Sequence, residues 1–223
     1  METLFGYNSA NFWKMILIPA LKSTIQMVVI TAVIATIFGT ALAIVLIVTD
    51  KNGVHPNKIL HGILETVVNI VRSFPFVILM VFLLPFTRVL VGTSIGIRAA
   101  LVPLIIAASA FIAKLIEGAM KEVDPELIEV MQSFGISNRH LILKVIVSEA
   151  LPAMISGIIL ATIAILGTTA VAGTMGAGGI GSAAIVYGYQ SFNYPVMCSL
   201  SLILVIFVEA IQGIGNLVYK KMK

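Results

Sequence analysis

The chain alternates between long uncharged apolar runs and short charged connections. A helix that crosses a bilayer needs about 20 mostly apolar residues. Five runs meet that requirement: 23–49, uncharged throughout; 67–89, with Pro75 and Pro85; 94–113, with Pro103 inside; 150–171; and 194–219. The pattern predicts an all-α integral membrane protein with five transmembrane helices in a single domain over 1–223. The N-terminal piece "NFWKMILIPAL" is too short to cross and reads as an interfacial segment. It lacks a small-residue cleavage site, so it does not read as a signal peptide.

Between the third and fourth runs the periodicity changes. In "DPELIEVMQSFG" Asp124 is placed to cap a helix, Pro125 suits its first position, and Glu126 favours the positive end of its dipole. Leu127, Val130, Met131 and Phe134 fall at i, i+3, i+4 and i+7, one helical face. Gly135 supplies a left-handed stop and Ser137 a cap for the next helix. The expectation is a short amphipathic helix, a sharp turn, and a helix leading to the fourth span. Such a helix either lies on the lipid surface or docks in a partner's groove, and spacing does not separate the two.

Composition sharpens the class. Of 223 residues 59% are hydrophobic and 11% charged, against about 25% charged in soluble domains. A lone cysteine, Cys198, excludes an intrachain disulfide framework, and His55, His61 and His140 show no metal-ligand spacing. The net charge of +4 is distributed as orientation, not as a nucleic-acid surface. Lys51, Lys58, Lys114, Lys121, Arg139, Lys144, Lys220, Lys221 and Lys223 share one side. The other holds Lys14, Lys22, Arg88 and Arg98, and its loop 172–193 is uncharged. By the positive-inside rule the N-terminus is outside and the C-terminus cytoplasmic, in a bacterial inner membrane.

Three polar features lie within or beside the spans. His61, Glu65, Asn69 and Arg72 form a stripe in which Glu65 and Arg72 would face one cavity as pathway candidates; the alternative is an interfacial segment before Val67. Glu209 and Gln212 sit one turn apart in the last span, where an acid suggests proton coupling or a contact with a second copy. "GAGGIG", Gly176 to Gly181, matches a dinucleotide fingerprint by letter. No strand precedes it and no acid follows until Glu209, so the match is accidental. The small residues instead permit close packing, with Val171 and Met175 as apolar plugs beside Gly176.

The loop also resembles a family signature: E-A-A, three residues, G, nine residues, I-x-L-P, of permease subunits of bacterial ABC importers. This chain has Glu129-Val-Met, Gly135 three residues on, and Val145-Ile-Val-Ser nine further, departing at both alanines and at the Ile, Leu and Pro, with "EALP" after it. With "IVRSFPFVILMVFLLPFTRVLVGTSIGIRAALVPL", "GAGGIG" and "YGYQSFNYPVM", the chain over about 20–220 is similar to permeases of the methionine ABC importer family. The resemblance implies a type I permease with a cytoplasmic coupling helix at 124–139. Asp124, Glu129, Val130, Met131, Phe134 and Gly135 would meet an ATPase there, and Val171, Met175 and Gly176 would lie at the outer gate. It further implies two cytoplasmic ATPase subunits carrying ATP and magnesium, a second permease copy, an extracytoplasmic binding protein, and the lipid bilayer around the permease. This chain has no G-x-x-x-x-G-K-[ST] loop, so the resemblance implies no cofactor on it and no catalysis by it. The alternatives are an importer of another small amino acid or short peptide, and a proton-coupled carrier using Arg72, Glu65 and Glu209.

Overall fold

The computed structural model describes residues 12–221, and every regular element among them is helical. Helix α1 is Ile18–Thr49, α2 Lys58–Ser73, α3 Phe76–Phe82, α4 Leu84–Val91 and α5 Ile97–Lys121. The short helix α6 is Pro125–Ser133, α7 is Val147–Ala172 and α8 is Tyr194–Lys221. Helices α1, α5, α7 and α8, with the windings that extend α1 and α7, are long and apolar enough to cross a membrane; α2 and α3 together make a fifth, broken candidate.

The interior is a seam between α1, α5 and α7 that only small residues permit. Ala35, Ala43, Ala113 and Ala161 are fully buried. A Cβ placed on Gly39 of α1 would sit 2.8 Å from Ile112 Cγ2 and 3.0 Å from the Ser109 carbonyl, so α1 and α5 approach almost backbone to backbone. In lipid, van der Waals packing must replace the hydrophobic drive between helices, and small residues make it available.

Three sequence expectations change here. The N-terminal apolar piece is not a separate interfacial segment: Phe12–Leu17 winds directly into α1, with Phe12 and Leu17 buried against Ile180, Val196 and Leu200. Asn11 of that piece lies outside the described residues. The run 67–89 is not one straight helix. Phe74 (ψ 129°) and Pro75 (ψ 130°) are extended, and α2 and α3 meet at 110°. Proline disfavours the α conformation in the residue before it and cannot donate to the helical ladder, so two consecutive residues leave the helix. Pro85 opens α4 after a second break at Leu83. Helix α5 runs on to Lys121 instead of stopping at 113, because its last charges are neutralised in the fold.

Candidate functional site

The end of the bundle that carries α6 is built from the short helix upward. Asp124 caps α6, its carboxylate accepting from the Glu126 amide at 2.9 Å, and Pro125 begins the helix. Gly135 adopts φ +73° with open space around its missing Cβ. Its left-handed conformation, not crowding, is therefore what calls for glycine. The apolar face is divided. Leu127, Ile128 and Met131 pack on the main core with Leu141 and Ile146, whereas Val130 and Phe134 stay exposed, Phe134 at 81%. One side of α6 is thus fixed to the membrane helices and the other presents an aromatic anchor. Glu129 and Gln132 line a cavity of about 690 Å³ between α6 and the loop after α1, which Lys51 and Lys121 also border.

Beneath that cavity lies a closed ring of acidic and basic side chains. Asp50 is 3.0 Å from Lys121 Nζ, and Lys121 is 2.8 Å from Glu117. Glu117 is 2.8 Å from Lys114, and Lys114 is 3.2 Å from Glu65. His61 closes the ring, 3.4 Å from Glu65 and 3.9 Å from Asp50, while its Nδ1 donates to the Leu46 carbonyl at 3.0 Å. Glu117 is 2% exposed. Burying an ion is tolerable only when it is paired, and two ammonium groups meet this one. Burial pushes the Asp50 carboxyl up, but the Asn52 amide and the Lys121 ammonium outweigh it and hold Asp50 below the usual carboxylate value. The ring ties together the ends of α1 and α5 and the first turns of α2.

The ring explains where one expected residue went. Glu65 turns to Lys114 and His61 and does not share a cavity with Arg72. Arg72 instead borders a different, mostly apolar cavity of about 280 Å³ between α2, α3, α5 and α7. Sequence reading missed Asp50, Lys114, Glu117 and Lys121 as a unit. The i, i+3, i+7 spacing of Lys114, Glu117 and Lys121 was the available signal, but Asp50 is remote in sequence.

Just past the other end of α7 the chain kinks out of the helix at Met175 (φ -96°, ψ 21°) and Gly176 (φ 98°). Val171 is half-buried in α7 and Gly176 is exposed. Met175 packs partly against Met27, Met80 and Leu104. The turn is pinned to α1: the Ile180 amide donates to Thr24 Oγ1 at 2.9 Å, and a Cβ on Gly179 (φ +101°) would lie 2.9 Å from that oxygen. Helix α8 buries only Val196, Leu200 and Gly215, and Glu209 and Gln212 are exposed on it.

A bundle of apolar helices long enough to cross a membrane, with a short helix held on one side and bare on the other, is the architecture of a membrane-spanning subunit. The family described as binding-protein-dependent transport system inner membrane component matches residues 39–222, and the chain belongs to that family. The probable D-methionine transport system permease protein MetI of Vibrio cholerae is 38% identical over 92% of this chain and 92% of its own length. The methionine import system permease protein MetP of Bacillus subtilis is 44% identical over 78% of each chain. A solved inward-facing structure of the MetNI methionine ABC transporter superposes with a TM-score of 0.91 at 35% identity, covering 96% of this chain and 99% of that one. An amino acid ABC transporter solved with histidines shares the fold, at TM-score 0.78 and 17% identity. The chain is therefore a multi-pass inner-membrane transport subunit of an ATP-driven ABC system, with a type I importer fold.

Proposed function

We propose that this permease imports methionine. In this reading it acts as a homodimer, driven by two cytoplasmic ATPase subunits that bind ATP and magnesium and fed by an extracytoplasmic binding protein. The observation that carries the reading is full-length similarity, in sequence and in fold, to methionine transporter permeases. The exposed Phe134 and Val130 on a helix otherwise anchored by Leu127 and Met131 support docking into an ATPase groove. Asp124 and Gly135 shape that segment, and Glu129 sets its seat above the cavity. Closure of the ATPase dimer would push the two α6 helices and open the far side, where Val171, Met175 and Gly176 form the seal. In this reading the N-terminus is outside and the C-terminus cytoplasmic, an orientation that the positive-inside rule supports.

The test is uptake of labelled methionine by proteoliposomes holding this permease with its ATPase and binding protein, with and without ATP and with unlabelled competitors. ATP-dependent uptake blocked chiefly by methionine is expected. Blockage by another amino acid would discard the substrate, and uptake that follows a proton gradient and ignores ATP would discard the mechanism.

A further inference from the structure

Arg72 stands at the end of α2, eleven residues beyond His61 of the charge ring, roughly 16 Å along a helix axis. The cavity it borders is lined by mid-helix residues of α5 and α7, among them Phe111, Ala164 and Thr168, with Phe74 and Phe76 from the bend. Arg72 makes no ion pair with any described residue, and no acid lines the cavity. Arg72 is exposed in the single chain, and a cation beside so apolar a lining is costly unless something anionic or wet meets it. At about 280 Å³ the space falls just under the about 300–1,000 Å³ usual for drug-sized ligands, a scale suited to one amino acid. The Thr168 hydroxyl donates to the Ile165 carbonyl at 2.8 Å, which leaves its lone pairs free to accept.

We propose that this cavity is a transit site for the substrate: Arg72 takes the α-carboxylate of an apolar amino acid, Thr168 accepts from its ammonium, and Phe74, Phe76 and Phe111 surround its side chain. The proposal rests on the amino-acid import reading. A guanidinium recognises a carboxylate by two parallel hydrogen bonds, whereas the single hydroxyl offers the ammonium little. The site is therefore selective for the anion and weak overall, as a transit site must be if the substrate is to leave. It also disfavours cationic amino acids, whose side-chain charge would approach Arg72.

The test uses the assembled permease–ATPase complex carrying Cys198→Ser and Ala164→Cys, the latter placing one thiol in the cavity. Its modification rates by an anionic (sulfonatoethyl) and a cationic (trimethylammonioethyl) methanethiosulfonate are compared. The anionic-to-cationic ratio is expected to fall roughly tenfold in Arg72→Gln and to persist in Arg72→Lys. Millimolar methionine should slow modification, while methioninol, which lacks the carboxylate, and lysine should not. An unchanged ratio in Arg72→Gln overturns the anion site. Equal protection by methionine and methioninol, or none by methionine, overturns the carboxylate assignment; this arm needs no change at position 72, so it decides even if Arg72→Gln does not assemble. Protection without ATP-driven uptake in the parent complex would overturn the import reading alone, and uptake without protection would overturn this site alone.

Discussion

Replacing Glu117 by Gln removes the charge at the centre of the ring and keeps the side chain's shape. Breaking a buried ion pair by deleting one partner costs about 3–5 kcal/mol, because the other charge is left uncompensated. Two observations lower that figure here. The Lys121 side chain is 47% exposed and keeps Asp50 at 3.0 Å, so its share falls toward the ~0–1 kcal/mol of surface pairs. Lys114, only 18% exposed, still has Glu65 at 3.2 Å. The expected loss is about 2 kcal/mol, which for a chain of this size lowers the melting temperature by roughly 4–8 °C. Glu65→Gln is the internal control: that side chain is 40% exposed, so its loss should stay below about 1 kcal/mol. Circular-dichroism melts of the purified complex in one detergent compare the three proteins. A Glu117→Gln melt within about 1 °C of the parent, or a larger drop for Glu65→Gln, would refute the claim that the buried carboxylate holds the three helix ends together.

Phe134→Ser should leave the melt of the isolated permease unchanged, since the ring is exposed, while reducing recovery of the ATPase in a pull-down at least tenfold, about 1.4 kcal/mol. Gly135→Val forces a β-branched residue into φ +73° at a cost of roughly 1–2 kcal/mol and should lower methionine uptake per ATP hydrolysed; Gly135→Asn should be tolerated. Gly39→Leu must push α1 off Ile112 and Ser109, and it should abolish folded yield by size-exclusion chromatography. The folded Asp50 carboxyl titrates below its ordinary 3.8, so its contribution is fully present above that value and is lost as pH falls through the lower folded one. Asp50→Asn should therefore flatten the acid limb of a stability-versus-pH curve and leave its alkaline limb unchanged.

How much was legible depends on whether each signal is local. The positions of α1, α5, α7 and α8 rest on bulk apolarity, a local property, and the capped start of α6 at Asp124 is local too. The division of the α6 face was not legible, because Val130 and Met131 are equally apolar and only the position of Leu141 decides which is covered. Pro75 was visible as a residue, but its 110° bend emerges from two consecutive extended residues. The end of the third span was misjudged for a related reason. Lys114 looks like a stop signal in one dimension and becomes an internal residue once Glu65, 49 positions earlier in the chain, pairs with it.

The wide winding at Leu141–Ile146 lies between α6 and α7. It is one of the places where the helix carries an extra residue per turn, and Leu141 and Ile146 are both buried across it. An α-helix advances about 100° per residue. Removing one residue of that winding would let it close to ordinary pitch and leave α6 near its present angle about the axis of α7, whereas adding a residue to the ordinary turns beside it would rotate α6 by roughly 100°. Leu127 and Met131 would then be carried away from the helices they pack on without a change in any side chain of α6. Chain length beside this one joint therefore acts as a phase setting for α6, and it should tolerate substitution far better than insertion.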